Sequence, residues 1–194
     1  MKTLFNFLFA AWLAFMVFGC AEKGSIVEAG ATTEYSALTL SGKVSPWAMG
    51  SGVELKLAEA SGKISGDGSF SISVPAPDKS QLKPITGLSE TELSVSDPSA
   101  KYLIASPKLY ANGEFFGILE WSSEFNGGAV NAKYCKAVYF FSDKDVTVSG
   151  ASYGFTARAG WNTLYVYENG GADFYYSDAA DMDGRYEAVG VVQD

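Results

Sequence analysis

Three stretches in the first half of the chain alternate apolar and polar residues with a period of two. They are LTLSGKV from Leu38 to Val44, GVELKLA with Val53, Leu55 and Leu57 on one side, and SFSISVP with Phe70, Ile72 and Val74 on one side. Such alternation sends successive side chains to opposite faces of a strand and predicts strands with one buried face. Between the second and third, SGKISGDGS reads as a turn. The middle, PAPDKSQLKPITGLSETELSVSDPS, has no period and is rich in Pro, Ser and acid. It predicts one long loop holding a short helical turn around Ser89 to Leu93, weakly capped by Ser89 and Glu92. Strand signals then return in YLIAS, KLYA, FFGILEW, KAVYFFS, DVTVSG, SYGFTARAG, WNTLYVYE, ADFYYS and RYEAVGV, divided by segments such as NG, NGG and SDKD. Strands recurring every 8 to 12 residues or so predict an all-β fold, an antiparallel β-sandwich. The first four strands are expected to pair with later ones, because about 40 residues bury too little to stand alone.

The only long apolar run lies at the start. Lys2 precedes Leu4 to Phe18, broken only by Asn6, and Glu22 and Lys23 follow closely. A spanning helix needs about 20 apolar residues to cross about 30 Å of hydrocarbon. A charged start, a short apolar core and small residues at its end describe a secretion signal. Val17-Phe18-Gly19-Cys20 resembles the bacterial lipobox. In lipoproteins of that kind the thiol of the cysteine carries diacylglycerol and the chain is cut just before it. The resemblance implies a lipidated Cys20, with residues 1–19 as signal. Phe18 is bulkier than that pattern usually has. Ordinary cleavage after Ala21 and an uncleaved anchor are the alternatives.

Cysteine usage and charge refine this. The chain has two cysteines, Cys20 and Cys135, too few for a disulfide framework. With Cys20 acylated, Cys135 is expected to be a buried, inert thiol in the strand AKYCKAVYFF. The formal net charge is −8, and it becomes more negative once Lys2 leaves with the signal. An acidic chain whose arginines are Arg158 and Arg185 does not suit nucleic-acid binding, which rests on clustered cations against phosphate. Nor does it suit lying flat on anionic lipid. Attachment is expected through the acyl chains alone, with AEKGSIVEAGATTEY as a flexible tether.

A further resemblance is carried by SGKVSPWAMGSGVELKLAEASGKISGDGSFSISVPAP. Gly42, Val44, Asp67, Gly68, Phe70, Val74 and Pro75 match a pattern in which a Gly-x-Val strand is followed by an Asp-Gly-x-Phe turn and an alternating strand ending in Val-Pro. This resembles the carboxypeptidase-regulatory or transthyretin-like β-sandwich and implies an Ig-like or transthyretin-like module, mostly non-catalytic. AGWNTLYVYENG is similar to a closing segment of small bacterial surface lipoproteins and implies class rather than activity.

The chain has no histidine, which removes Ser-His-Asp and Cys-His arrangements and histidine-ligated zinc. Ser80-x-x-Lys83 has acyltransferase spacing, but Pro84 follows directly and no Lys-Thr-Gly accompanies it. The stretch YYSDAADMDGRYE places Asp178, Asp181 and Asp183 around a Gly turn. These are hard oxygen ligands of the type Ca²⁺ takes, although the spacing fails the EF-hand pattern and a solvated acidic turn is the default. A pair of carboxylates about 5 to 9.5 Å apart would allow glycoside hydrolysis, but no motif selects a pair. In WNTLYVYE, Trp161, Tyr165 and Tyr167 share one strand face while Leu164 and Val166 share the other. With the aliphatic side inward, the aromatic side forms an outward strip on which sugar rings or partner surfaces stack. Sheet packing of those rings is the plainer alternative. Trp47 and Trp121 are expected to be core or edge plugs.

These readings combine into residues 1–19 as lipoprotein signal, 20–35 as tether and 36–194 as one β-sandwich domain. The expected protein is non-catalytic, needs no cofactor (Ca²⁺ aside) and is held in the cell envelope by its N-terminal lipid, on the outer membrane where there are two. Its expected partner is a glycan or an envelope protein, and Cys20 and the strip of Trp161, Tyr165 and Tyr167 are its expected sites. The alternative is a carboxylate hydrolase acting on envelope or extracellular glycan.

Overall fold

The computed structural model describes residues 34–88, 93–125, 133–150, 154–169, 173–177 and 184–190. Fifteen strands are placed among them: β1 (Leu38–Lys43), β2 (Val53–Leu57), β3 (Ala60–Ile64), β4 (Ser69–Val74), β5 (Lys83–Pro84), β6 (Ser94–Val95), β7 (Lys101–Ala105), β8 (Lys108–Ala111), β9 (Glu114–Phe125), β10 (Lys133–Ser142), β11 (Val146–Ser149), β12 (Gly154–Ala157), β13 (Gly160–Asn169), β14 (Asp173–Ser177) and β15 (Arg185–Gly190). The fold is all-β; among the described residues the ladders are antiparallel, with one parallel bridge from Val44 to Tyr186.

The large sheet runs β14-β13-β10-β9-β8-β2-β3, with β15 on β9 and β7 on the second half of β10. On one face lies the ribbon of β1 and β4, and on the other the small sheet β12-β11-β6. The alternating stretches do what their pattern requires. Val53, Leu55 and Leu57 of β2 bury one face, and Phe70, Ile72 and Val74 of β4 come down onto it, joined by Leu109, Leu119 and Tyr139. The opposite face gathers Tyr102, Phe140, Val146, Val148, Phe155 and Leu164. Strand β10 belongs to both cores, since Tyr139 enters the first and Phe140 the second. Phe140 stacks on Tyr102 at 5.6 Å and meets Phe155 edge-on at 5.2 Å.

Two turns follow their sequence signals closely. Asn112 and Gly113 have φ of 51° and 84° and close the β8–β9 hairpin from Ala111 to Glu114, the geometry that Asn-Gly favours. Gly68 has φ of 88°, and the Asp67 carboxylate accepts hydrogen bonds from Ser69 N and Oγ at 3.1 and 2.9 Å. The residues that carry the transthyretin-like resemblance lie on or beside the antiparallel β1–β4 ladder, with Gly42 opposite Phe70 and Leu38 opposite Val74.

Two differences from the sequence expectation have physical causes. Of the stretch read as a turn, Ser61 to Ile64 are strand β3 and only the part from Ser65 to Gly68 turns, while the β2–β3 turn is the two-residue pair Ala58-Glu59. Gly62 looks like a turn residue but sits mid-strand, because a Cβ there would come within 2.3 Å of Ile72. The absent side chain lets β4 lie close on β3. The long loop is also more structured than its composition implies. It holds 3-10 turns at Lys79–Gln81 and Ile85–Gly87, and Ile85 is fully buried in the second core with its N–H donated to Ala100 O. The helical turn expected near Ser89 lies outside the described residues, except for its last residue, Leu93, which packs against that core.

Gly68→Ala should lower stability by about 2 kcal/mol or more. Its φ is costly for any side chain, and a Cβ would lie 2.7 Å from Val44 O. Urea unfolding against Gly87→Ala, whose site is open, checks it; equal losses would refute this account of the turn.

Candidate functional site

Strand register determines which side chains share a face. Phe141 pairs with Trp161, Tyr139 with Thr163, and Ala137 with Tyr165. In an antiparallel pair, directly opposed residues project to the same side. Tyr139 lies in the first core, so Thr163 and Tyr165 face that side, while Leu164 and Val166 are buried on the other. Strand β15 adds Tyr186 opposite Trp121 of β9.

Ala137, Tyr139, Thr163, Tyr165, Trp121 and Tyr186 line a cleft of about 150 Å³ between the edge of β1 and the face of the large sheet. Tyr139, Tyr165 and Thr163 form its floor, Trp121 and Tyr186 a wall, and Leu38 to Ser41 of β1 its rim. Tyr165 meets Trp121 edge-on at 5.3 Å, and Tyr186 meets Phe70 edge-on at 5.0 Å. Gly42 makes room for Tyr186, since a Cβ there would lie 2.5 Å from its ring. The volume is near that of a cavity that takes one benzene-sized ring, and below the several hundred Å³ usual for larger ligands.

The described lining of the cleft is uncharged. The hydroxyls of Tyr139 and Tyr186 lie 3.4 Å apart, and either can donate to the other. Burial, followed by the neighbouring Tyr186 phenol, pushes the Tyr139 hydroxyl far above the ordinary phenol range. Burial also raises Tyr165, with Tyr186 and Cys135 adding to it. For Tyr186 burial raises and the hydrogen bond to Tyr139 opposes, with a net rise. All three phenols therefore stay protonated across the physiological range. They offer O–H groups and ring edges, while the exposed Thr39 and Ser41 rim the opening. No carboxylate or ammonium is among the described lining residues. Such a surface can hold a neutral ring and hydrogen-bond around it, and among its described residues there is no activated base or nucleophile.

The structure separates the sequence candidates. Tyr165 reaches the cleft. Trp161 does not: its ring packs on Phe141 and its indole N–H donates to Pro75 O at 2.8 Å, tying β13 to the end of β4. Tyr167 stands opposite Cys135 in the ladder, and its side chain lies outside the described residues. So do Cys20 and Asp178, Asp181 and Asp183. Cys135 is a fully buried thiol. Trp121 borders the cleft, whereas Trp47 packs against the first core with its N–H on Gly50 O. Ser80 and Lys83 fall on a 3-10 turn and a short strand, both exposed, so no helix presents them together. Tyr139 and Tyr186 escape the sequence reading because their neighbourhood depends on long-range pairing. The only local signal is a tyrosine within an otherwise apolar strand, which is also what a plain core residue looks like.

Tyr186→Phe should cost about 1 to 3 kcal/mol by leaving the buried Tyr139 hydroxyl without its partner, and adding Tyr139→Phe should recover part of it. Additive losses in the double-mutant cycle would break the pairing. The same phenols set an alkaline limit. Their folded-state values lie above the unfolded value near 10, so their contribution is intact below pH 10 and is lost as pH rises beyond it. Urea midpoints are expected to be level up to about pH 9.5 and to fall above pH 10, less steeply in the double mutant.

Comparison with protein-family models, with curated proteins and with solved structures finds no match for this chain.

Proposed function

We propose that this chain is a lipid-anchored, non-catalytic binding module of the cell envelope. The anchoring part rests on Val17-Phe18-Gly19-Cys20 behind a short apolar signal. The binding part rests on one observation, the ring-sized cleft of Tyr139, Tyr165, Tyr186 and Trp121, whose described lining is uncharged. A partly buried Tyr165 and Trp121 beside a hole in the packing favour a binding surface over a purely structural module. A carboxylate hydrolase would need two acids facing a bound sugar, and the described lining supplies none.

The attachment geometry supports the reading. Tyr35 is docked on the domain, its hydroxyl donating to Asp143 O at 2.8 Å and its ring edge-on to Phe141 at 5.1 Å. The chain is thus held three residues before β1. From Cys20 to Glu34 a fully extended chain would span at most about 50 Å. That is ample to hold an acidic domain clear of anionic headgroups while keeping it at the membrane.

Metabolic labelling with palmitate tests the anchor. Label should appear in the wild type and vanish in Cys20→Ala, with the variant moving from the membrane to the soluble fraction. Equal labelling of both would remove the anchor from the proposal.

A further inference from the structure

The rim of the cleft is a strand edge, and its hydrogen-bonding groups are open. Val44 N–H donates to Gly68 O at 3.0 Å, one step beyond the last β1–β4 pair, Lys43 with Ser69, and in the same register. Counting back in twos, Gly42, Leu40 and Leu38 also turn their N–H and C=O groups toward β4. Thr39, Ser41 and Lys43 therefore turn theirs to the other side. The contact at the far end agrees: Ser45 N–H donates outward to Tyr186 O at 2.8 Å, and Val44 bridges Tyr186 there. Among the described residues, nothing pairs with this edge between Leu38 and Gly42. Along that length β1 borders the cleft with four consecutive residues.

Two features therefore coincide: a short row of backbone donors and acceptors at β spacing, and a ring-sized hole directly beneath its edge. A strand added to β1 would lie about 4.8 Å from it, over Thr163 and Tyr165. Its alternate side chains would point down at Trp121 and Tyr165. A free sugar could fill the hole but has no groups to match a β ladder, whereas an extended polypeptide matches both.

We infer that the ligand of this cleft is an extended polypeptide segment that adds as a strand to the open edge of β1 at Thr39 and Ser41 and seats one aromatic or large aliphatic side chain against Tyr139, Tyr165 and Trp121. This rests on the binding-module reading and names its ligand class.

The test uses the soluble mature protein, a twelve-residue peptide library on phage, and methyl glucoside and cello-oligosaccharides as sugar probes. Panning should enrich peptides with one ring or large aliphatic residue flanked by β-branched residues. On a selected peptide made synthetically, N-methylation of alternate residues along one edge should weaken binding by about tenfold or more, and along the other edge by less than about twofold. That comparison needs no protein variant. In the protein, Ser41→Pro removes an outward N–H that the β1–β4 ladder does not use, so it should fold and lose binding, whereas Ser41→Ala should keep it. Tyr165→Ala should weaken binding of the same peptide. Equal effects of methylation on both edges, or equal binding by Ser41→Pro and Ser41→Ala when both are folded by circular dichroism, would overturn strand addition. Saturable sugar binding without peptide binding would overturn the inference and leave the binding module standing. Neither probe class binding would sink both.

Discussion

The fold depends on β10 being buried on both sides. A strand in a two-layer sandwich has one wet face and alternates accordingly. Residues 139–141 read Tyr-Phe-Phe instead, and each ring is used: Tyr139 closes the first core, Phe140 fills the second, and Phe141 holds Tyr35 and Trp161. A doubly covered strand reads as a continuous apolar run. Everything else hangs on that choice. The β1–β4 ribbon covers one face of the sheet, and the β12-β11-β6 sheet with the pinned loop at Ile85 covers the other. Burial of several large rings in one strand is worth more than a surface contact such as the Lys43–Asp67 ion pair, both of whose side chains are more than half exposed.

The cleft follows from the unequal widths of these layers. The large sheet is wide, while among the described residues the ribbon over its first face has two strands. Beyond the edge of β1, the floor of β10 and β13 continues beneath open space. A hydrophobic floor there would be an aggregation hazard. The sequence instead places tyrosines and a threonine, side chains with an apolar body and a polar tip. The Tyr139–Tyr186 contact satisfies the deepest of these hydroxyls, which is why a polar group can sit within a core otherwise made of Leu, Ile, Val and Phe.

The local elements were legible in the sequence because they depend on nearest neighbours. LTLSGK, VELKL and SFSISV form strands with the expected faces, and Asn112-Gly113 makes the expected turn. Gly62 misled because its role is to admit Ile72 from another strand, and nothing near it in the chain says so. The functional residues divide along the same line. Tyr165 was visible, since its face follows from Leu164 and Val166 on the other. Trp121, Tyr139 and Tyr186 were not, because long-range ladders between β9, β10, β13 and β15 bring them together. Trp161 shows the limit of period-two reasoning: it lies on the same face as Tyr165 yet is spent on a hydrogen bond to Pro75 O.

An open strand edge is ordinarily suppressed, since it can template stacking with other copies. Here the opening is short, ending where Val44 meets Tyr186. The outward side chains along it are Thr39, Ser41 and Lys43, all exposed and none apolar. A charged Lys43 at its end and a net charge of −8 over the chain both discourage self-association. Those features protect against indiscriminate pairing without closing the ladder. They leave room for one added strand of a few residues, whose affinity must come from the ring-sized hole more than from the ladder. Backbone pairing alone is common to every polypeptide; discrimination therefore falls to the one side chain that seats against Tyr139, Tyr165 and Trp121.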